Sequence, residues 1–318
     1  MSALTPETAI QVPPDDGDGN GAGAGDGNGA GAPPERAGRR GMSAKLRTTT
    51  IISYLGLVIL ALVYIYPFLI SIAGSFKTDA DVTSNPLTLI PETWSFAAYA
   101  RLFGDVPLPL WAMNSTIITL IVTFGRVFFD SLAGYALSRL KFKGRGVVFA
   151  GVLAVMAVPS VVLLIPRFLI LKELGLFNSY AGMIIPLLVD AAGIFIMKQF
   201  FESIPVSVEE AARIDGAGVF RTFWTIVMPM ARPAVVTMFI LSFQGSWNEY
   251  AHFIISRQDA DLNTLTTGVA SLVSGQLGSG NQYPLVLASA VLMTIPVAIV
   301  FFIFQKRIMN TTEGGEKG

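Results

Sequence analysis

Three long stretches of the chain contain no Asp, Glu, Lys, Arg or His: those between Arg47 and Lys77, between Arg145 and Arg167, and between Asp261 and Lys306. A helix needs about 20 mostly apolar residues to cross a bilayer, so each stretch is long enough. Followed along the whole chain, the pattern predicts six spans, at about 51–74, 111–137, 147–168, 179–200, 230–251 and 284–304. Pro159, Pro166, Pro186, Pro233 and Pro296 fall in or beside them. Membrane helices accept proline where neighbours re-satisfy the freed backbone groups, so these spans are expected to be kinked and packed. No fixed-period repeat is visible, which argues against the inverted-repeat design of many secondary transporters.

Composition points the same way. Hydrophobic residues make up 52% of the chain and charged residues 14%, against about 25% charged in soluble domains. The expected fold is an all-α membrane protein with six transmembrane helices, solvated by lipid. The first apolar run is too long, and starts too far from residue 1, to be a signal peptide. Residues 1–46, with "GDGNGAGAGDGNGAGAPP", hold no aromatic residue and no apolar cluster, so they are expected to form a disordered tail. Residues 47–310 then form the span-bearing domain and 311–318 a short tail, and Met42 is a second candidate start.

Lysine and arginine set the expected orientation, because cytoplasmic loops hold the positive excess. With the N-terminus inside, sixteen of the 22 basic residues lie on the inner side. Only Lys77, Arg101, Arg167, Lys172 and Arg257 lie outside, and Arg126 sits within a span. Both termini are therefore expected to face the cytoplasm, as is the charged stretch at 203–229.

That stretch with the four residues after it, "SIPVSVEEAARIDGAGVFRTFWTIVMPMARP", reads as a helix outside the membrane. Ser207 followed by Glu210 has capping-box spacing, and acidic Glu209 and Glu210 in a first turn suit the helix dipole. Gly216 or Gly218 can end the helix in the left-handed conformation. Phe220, Phe223, Trp224 and Val227 then recur at i, i+3, i+4 and i+7, an apolar stripe meant for the bundle or the membrane surface. The alanines and glycines leave a smooth surface against which another protein can pack, although any loop of this kind can hold a merely structural helix.

Catalysis finds little material. The chain has no cysteine and a single histidine, His252, expected to be an interfacial or packing residue, so a metal cluster or a His-based hydrolase dyad has no residues. It also lacks the phosphate cradle G-x-x-x-x-G-K-[ST]. No catalytic residue, cofactor, metal or nucleic-acid partner is expected; the protein is read as a transport subunit, not an enzyme.

"EAARIDGAGVFRTFWTIVMP" resembles the EAA loop of ABC importer permeases: Glu210, Ala211, Ala212, then Gly216, then Ile226, with Met228 and Pro229 where the family usually has Leu-Pro. "YPFLISIAGSFK", "NPLTLIPETWSFAAYARLF", "NSTIITLIVTFGRVFFDSLAGYALSRLKFKGR", "KELGLFNSYAGMIIP" and "SWNEY" resemble the MalG-like permeases of carbohydrate importers, over about residues 50–307. The resemblance implies a MetI-like bundle in the inner or plasma membrane of a bacterium. It also implies a second permease as heterodimer partner, two copies of a cytoplasmic ATPase that bind the ATP, and an extracellular solute-binding protein. The EAA loop would be the coupling helix, with Glu210, Ala211, Ala212, Arg213, Asp215 and Gly216 meeting the ATPase. Two departures stand out: "WNEYAHFII" lacks the proline common after "WN", and "NTTEGGEKG" keeps only the terminal Lys-Gly of the usual tail.

Three charges fall inside the predicted spans. Arg126 and Asp130, four apart on the second, share a face and can pair; Asp190 lies midway along the fourth without a local partner. Such groups mark translocation pathways or hold helices together, and Asp190 has the further reading of a polar cavity wall. A proton-coupled carrier relaying through Asp130 and Asp190 is the competing function. Among the outer aromatics, Trp94, Phe96, Tyr99 and Trp111 read as interface anchors, with sugar stacking as the alternative. The polar segment from about Ser256 to Tyr283 is expected to be a loop that touches the solute-binding protein.

Overall fold

The computed structural model describes residues 42–273 and 282–313, and among these every regular element is helical. The chain divides at Ile59–Leu60 into two units. Helix α1 (Met42–Ser75) opens inside the stretch expected to be tail; residues 1–41 and 314–318, with most of both predicted tails, lie outside the described residues. In the first unit Ile51, Ile52, Tyr54, Leu55 and Leu57 are all more than half exposed.

The second unit continues with two short helices, α2 (Asp79–Ser84) and α3 (Ala97–Gly104), before the long α4 (Leu108–Arg139). Three buried apolar clusters line α4. Its first turns meet Leu102, Trp247, Leu265 and Leu285 around Trp111. Ile118 and Val122 meet Met183, Leu187 and Phe253, and Tyr135 meets Met197, Phe201, Phe223 and Met238. Small residues permit the close approach: a Cβ on Gly134 would lie 2.9 Å from the backbone nitrogen of Lys198 and from Met197 Cβ.

Among the described residues, four helical segments are long and apolar enough to cross a membrane: Thr50–Ser75, Leu108–Arg139, Tyr180–Ser203 and Tyr283–Gln305. The third and fifth predicted spans are bent pairs instead. The third breaks between α5 (Arg145–Met156) and the segment that ends in α6 (Leu164–Glu173), at 98°. Pro159 lacks an N–H and pushes Val158 away from the helical region, which stops α5. The fourth holds α7 (Tyr180–Ile184) and α8 (Ala191–Ser203), with a non-helical break before Ala191.

Next come α9 (Val206–Ile214), α10 (Val219–Thr222), a π turn at Phe223–Val227 and α11 (Met228–Met230). The chain then bends by 80° into α12 (Arg232–Trp247), which ends short of the predicted residue 251. Helices α13 (Ala251–Ser256), α14 (Leu265–Val273) and α15 (Tyr283–Glu313) complete the described chain. Leu62, Val63, Tyr64, Phe68, Phe302 and Ile303 are all more than half exposed. In water this surface would drive aggregation; in a bilayer it meets its solvent.

Candidate functional site

Helix α9 is the predicted helix of the charged stretch, and its two ends differ from expectation in different ways. The N-cap is Pro205, with no side-chain capping bond, so the expected Ser207–Glu210 box does not form. The physical reason lies upstream. Ile204 and Pro205 are both extended, at ψ 130° and 132°, and Pro205 is pre-set for a helix entry that starts the first turn before Ser207 can cap it. The C-terminus follows expectation. Gly216 is left-handed at φ 79°. Its N–H bonds Arg213 O at 3.0 Å while Ala217 N–H bonds Ala212 O at 2.9 Å, the paired bonds of a Schellman cap. Gly218 opens α10 instead.

Of the six predicted coupling residues, Glu210, Ala211, Arg213, Asp215 and Gly216 are exposed on one element. Ala212 is buried at 4% exposure and faces the bundle, so its small size serves packing within the chain. Two residues that the motif does not single out matter here. Ile214, at the end of α9, is 87% exposed, the most exposed large apolar side chain described. Glu209 is almost fully buried and pairs with Arg139 from the last turn of α4, Nε to Oε1 at 2.9 Å. Tyr135 Oη donates to Glu209 Oε2 at 3.2 Å. The second guanidinium arm of Arg139 donates to the carbonyls of Phe201 and Ile204, which end α8. Removing one partner of such a buried pair costs about 3–5 kcal/mol, because it strands the other charge.

The apolar stripe after α9 splits. Phe223 and Val227 are buried, Phe223 with its ring 4.9 Å from Tyr135, whereas Phe220 and Trp224 are exposed. The π turn shifts the helical phase there, so a 3.6-residue period no longer describes one face.

Arg126 and Asp130 do not form the expected ion pair. Arg126 Nε donates to Leu187 O at 2.7 Å, and Asp130 Oδ1 accepts the N–H of Asp190 at 3.0 Å. Asp190 sits at the N-cap of α8, not within a continuous helix, and its side chain accepts Gly193 N–H at 3.0 Å. Both carboxylates therefore serve the orphan amides where the fourth span is interrupted. Asp130 is fully buried, and a Cβ on Gly193 would fall 2.1 Å from its Oδ2.

The aromatics and the polar segment opposite are more ordered than expected. Trp94, Phe96 and Tyr99 pack around Phe76, with ring centroids at 5.9, 5.5 and 5.1 Å. Trp111 is core. Half of the predicted loop is fixed: Asn114 Nδ2 donates to the carbonyls of Asp261 and Asn263, and Ser115 Oγ accepts Leu265 N–H. Residues 274–281 lie outside the described residues. His252 is buried, as a packing residue should be; two carbonyl acceptors, Gly182 and Met183, each 3.2 Å from Nε2, put its proton on that nitrogen. Burial above all, and then the charge of Arg167, lower its pKa to about 4.

Apolar spans, three of them broken, and a short helix held against them by a buried charge pair together define a membrane permease. The chain belongs to the family of binding-protein-dependent transport system inner membrane components, which residues 130–311 match. It is 34% identical over 265 residues to the arabinooligosaccharides transport system permease protein AraQ of Bacillus subtilis, covering 82% of this chain and 93% of that one. It is 35% identical over 257 residues to the sulfoquinovosyl glycerol transport system permease protein SmoH of Agrobacterium fabrum, covering 80% and 89%. Its fold matches a chain in the crystal structure of a bacterial ABC transporter involved in the import of the acidic polysaccharide alginate, with a TM-score of 0.72, 28% identity, and coverage of 83% of this chain and 97% of that one.

Proposed function

We propose that the protein is the MalG-like permease subunit of an ABC importer for a sugar or sugar-bearing solute. It pairs with a second permease, rests on two ATPase subunits and receives solute from an extracellular binding protein. The observation that carries this reading is α9: a capped, externally exposed helix whose buried face is bolted to the spans and whose outer face offers Glu210, Ala211, Arg213, Asp215 and Gly216. Such a helix suits a subunit that takes its energy from a partner. Ile214 supplies the apolar knob that a groove in the ATPase would accept. The sugar class is supported by the named solutes of the relatives, an arabino-oligosaccharide and a sulfosugar glycerol.

On this reading α9 and both termini face the cytoplasm. ATP binding closes the ATPases, and the permease follows because its outward- and inward-facing states present α9 differently to them. The engagement of Asp130 and Asp190 in capping α8 leaves them structural work, which supports the importer over a proton-relaying carrier.

The test is recovery of the tagged chain from its native membrane by gentle extraction, with partners identified by mass spectrometry. An ATPase, a second permease and a secreted binding protein are expected, and the binding protein is then titrated against a panel of oligosaccharides and sugar glycerols. Isolation of the chain alone, together with uptake that survives ATP depletion at a maintained proton gradient, would overturn the proposal.

A further inference from the structure

Arg139 occupies an unusual position. It ends α4, and its guanidinium meets both sides of the two-residue connection Ile204–Pro205, which joins α8 to α9. Its Nη2 fills the orphan carbonyls of Phe201 and Ile204, where α8 stops; its Nε reaches Glu209 in the first turn of α9. Both side chains of the pair are buried, at 8% and 2% exposure, and the hydroxyl of Tyr135, one turn back on α4, holds the second carboxylate oxygen. An extended two-residue joint would otherwise leave α9 free to swing about Ile204. The planar fork of arginine can satisfy several acceptors at fixed angles, which lysine cannot do.

We propose that Arg139 and Glu209 are positioning residues for transport: their pair locks the joint, so that a displacement of α9 moves α4 and α8 as one body. The proposal rests on the importer reading, since it concerns how α9 transmits a partner's movement. With the pair intact α9 is a lever arm. With it broken α9 stays docked and turns on its joint while the spans remain behind.

The chain contains no cysteine, so spin labels can be placed at will. Lys143, exposed just beyond α4, and Gly218, where an added Cβ meets nothing within 4 Å, flank the joint without touching it. The experiment uses the complete complex of this chain, its second permease and its ATPase in lipid nanodiscs, with Lys143→Cys and Gly218→Cys labelled. The probe is MgATP with vanadate, and the distance between the two labels is compared between nucleotide-free and trapped states. The labelled chain with the pair intact is expected to keep one narrow distance in both. Adding Glu209→Gln is expected to retain the ATPase at the same stoichiometry, while the distance broadens or moves on trapping by about 2 Å or more, the size of an ordinary interface helix shift.

Tyr135→Phe removes only the hydroxyl contact. It is expected to give a smaller broadening of the same kind, and it carries the test should Glu209→Gln fail to assemble. A distance unchanged by trapping in assembled variants overturns the proposal, as does loss of ATPase binding in parallel with the change. Failure of the unsubstituted chain to retain any ATPase is a different result, and counts against the importer reading itself.

Discussion

Gly216 separates what α9 needs for its own shape from what a partner needs of its surface. The residue stands at φ 79°. A side chain there incurs the left-handed penalty of about 1–2 kcal/mol, and among the described residues nothing beyond its chain neighbours lies within 4 Å of an added Cβ. Inside this molecule alanine and arginine thus carry the same backbone cost and meet no clash. Fraying of the cap lowers the fraction of α9 ready to dock, so Gly216→Ala should weaken ATPase affinity by at most about 5- to 30-fold. Gly216→Asn should weaken it less, because asparagine tolerates this conformation. Gly216→Arg should lose at least a further factor of about ten, the equivalent of 1.4 kcal/mol, since its long side chain projects from the face offered to the partner. The assay is a titration of purified ATPase against the permease heterodimer in nanodiscs, with heterodimer yield as the folding control. Equal affinities for the alanine and arginine variants would place Gly216 away from the interface and refute the reasoning; an alanine variant equal to glycine would show that docking does not require the cap.

Other consequences follow from the spans and the outer segments. Gly193→Ala sets a Cβ 2.1 Å from Asp130 Oδ2 and 2.6 Å from Met238 Cε; overpacking of about 1–3 kcal/mol should lower the thermal midpoint in detergent, whereas Gly151→Ala, with open space around it, should not. His252 has a folded-state pKa near 4, below the ordinary value of 6.5. Its neutral form is favoured on folding, so its contribution is fully present above pH 6.5 and is lost as pH falls toward 4. His252→Gln should flatten that part of a stability-against-pH curve. Asn178, at φ 60°, accepts the N–H groups of Gln258 and Asp259 and donates to the Asp259 carboxylate. Asn178→Gly should keep the turn but lose the bonds, and Asn178→Ala should lose both, read as faster amide exchange over 256–260 in the order alanine, glycine, asparagine.

Much of this architecture was legible because lipid solvation leaves a strong mark on sequence. Four of the six predicted spans survive as helical segments near their expected positions, and α9 with its Gly216 cap follows from motif spacing. The bends at Pro159 and before Arg232 were less legible, since proline in a membrane helix signals a kink without its angle. Glu209 was read only as a first-turn acid. Its partner Arg139 lies on a helix far earlier in the chain, and pairings at such a distance leave no period. A local signal did exist: Glu209 and Ala212, three apart, share the inward face of a short helix, and a carboxylate there needs a buried cation. Asp130 and Arg126 were misjudged for a related reason. Helical spacing shows which groups can meet, whereas the broken fourth span offers both of them backbone partners that no continuous helix would have exposed.

The attachments of α8 to α4 have opposite signs at their two ends. A carboxylate of α4 meets the amide end of α8, and a guanidinium of α4 meets its carbonyl end, each matching the local pole of the helix dipole. The two helices run parallel, so sliding one by a single turn, about 5.4 Å, would withdraw both charges from the backbone groups they satisfy. Tilting the pair together breaks neither attachment. The second and fourth spans are thus keyed in register, free to rock as a unit and barred from shearing past one another.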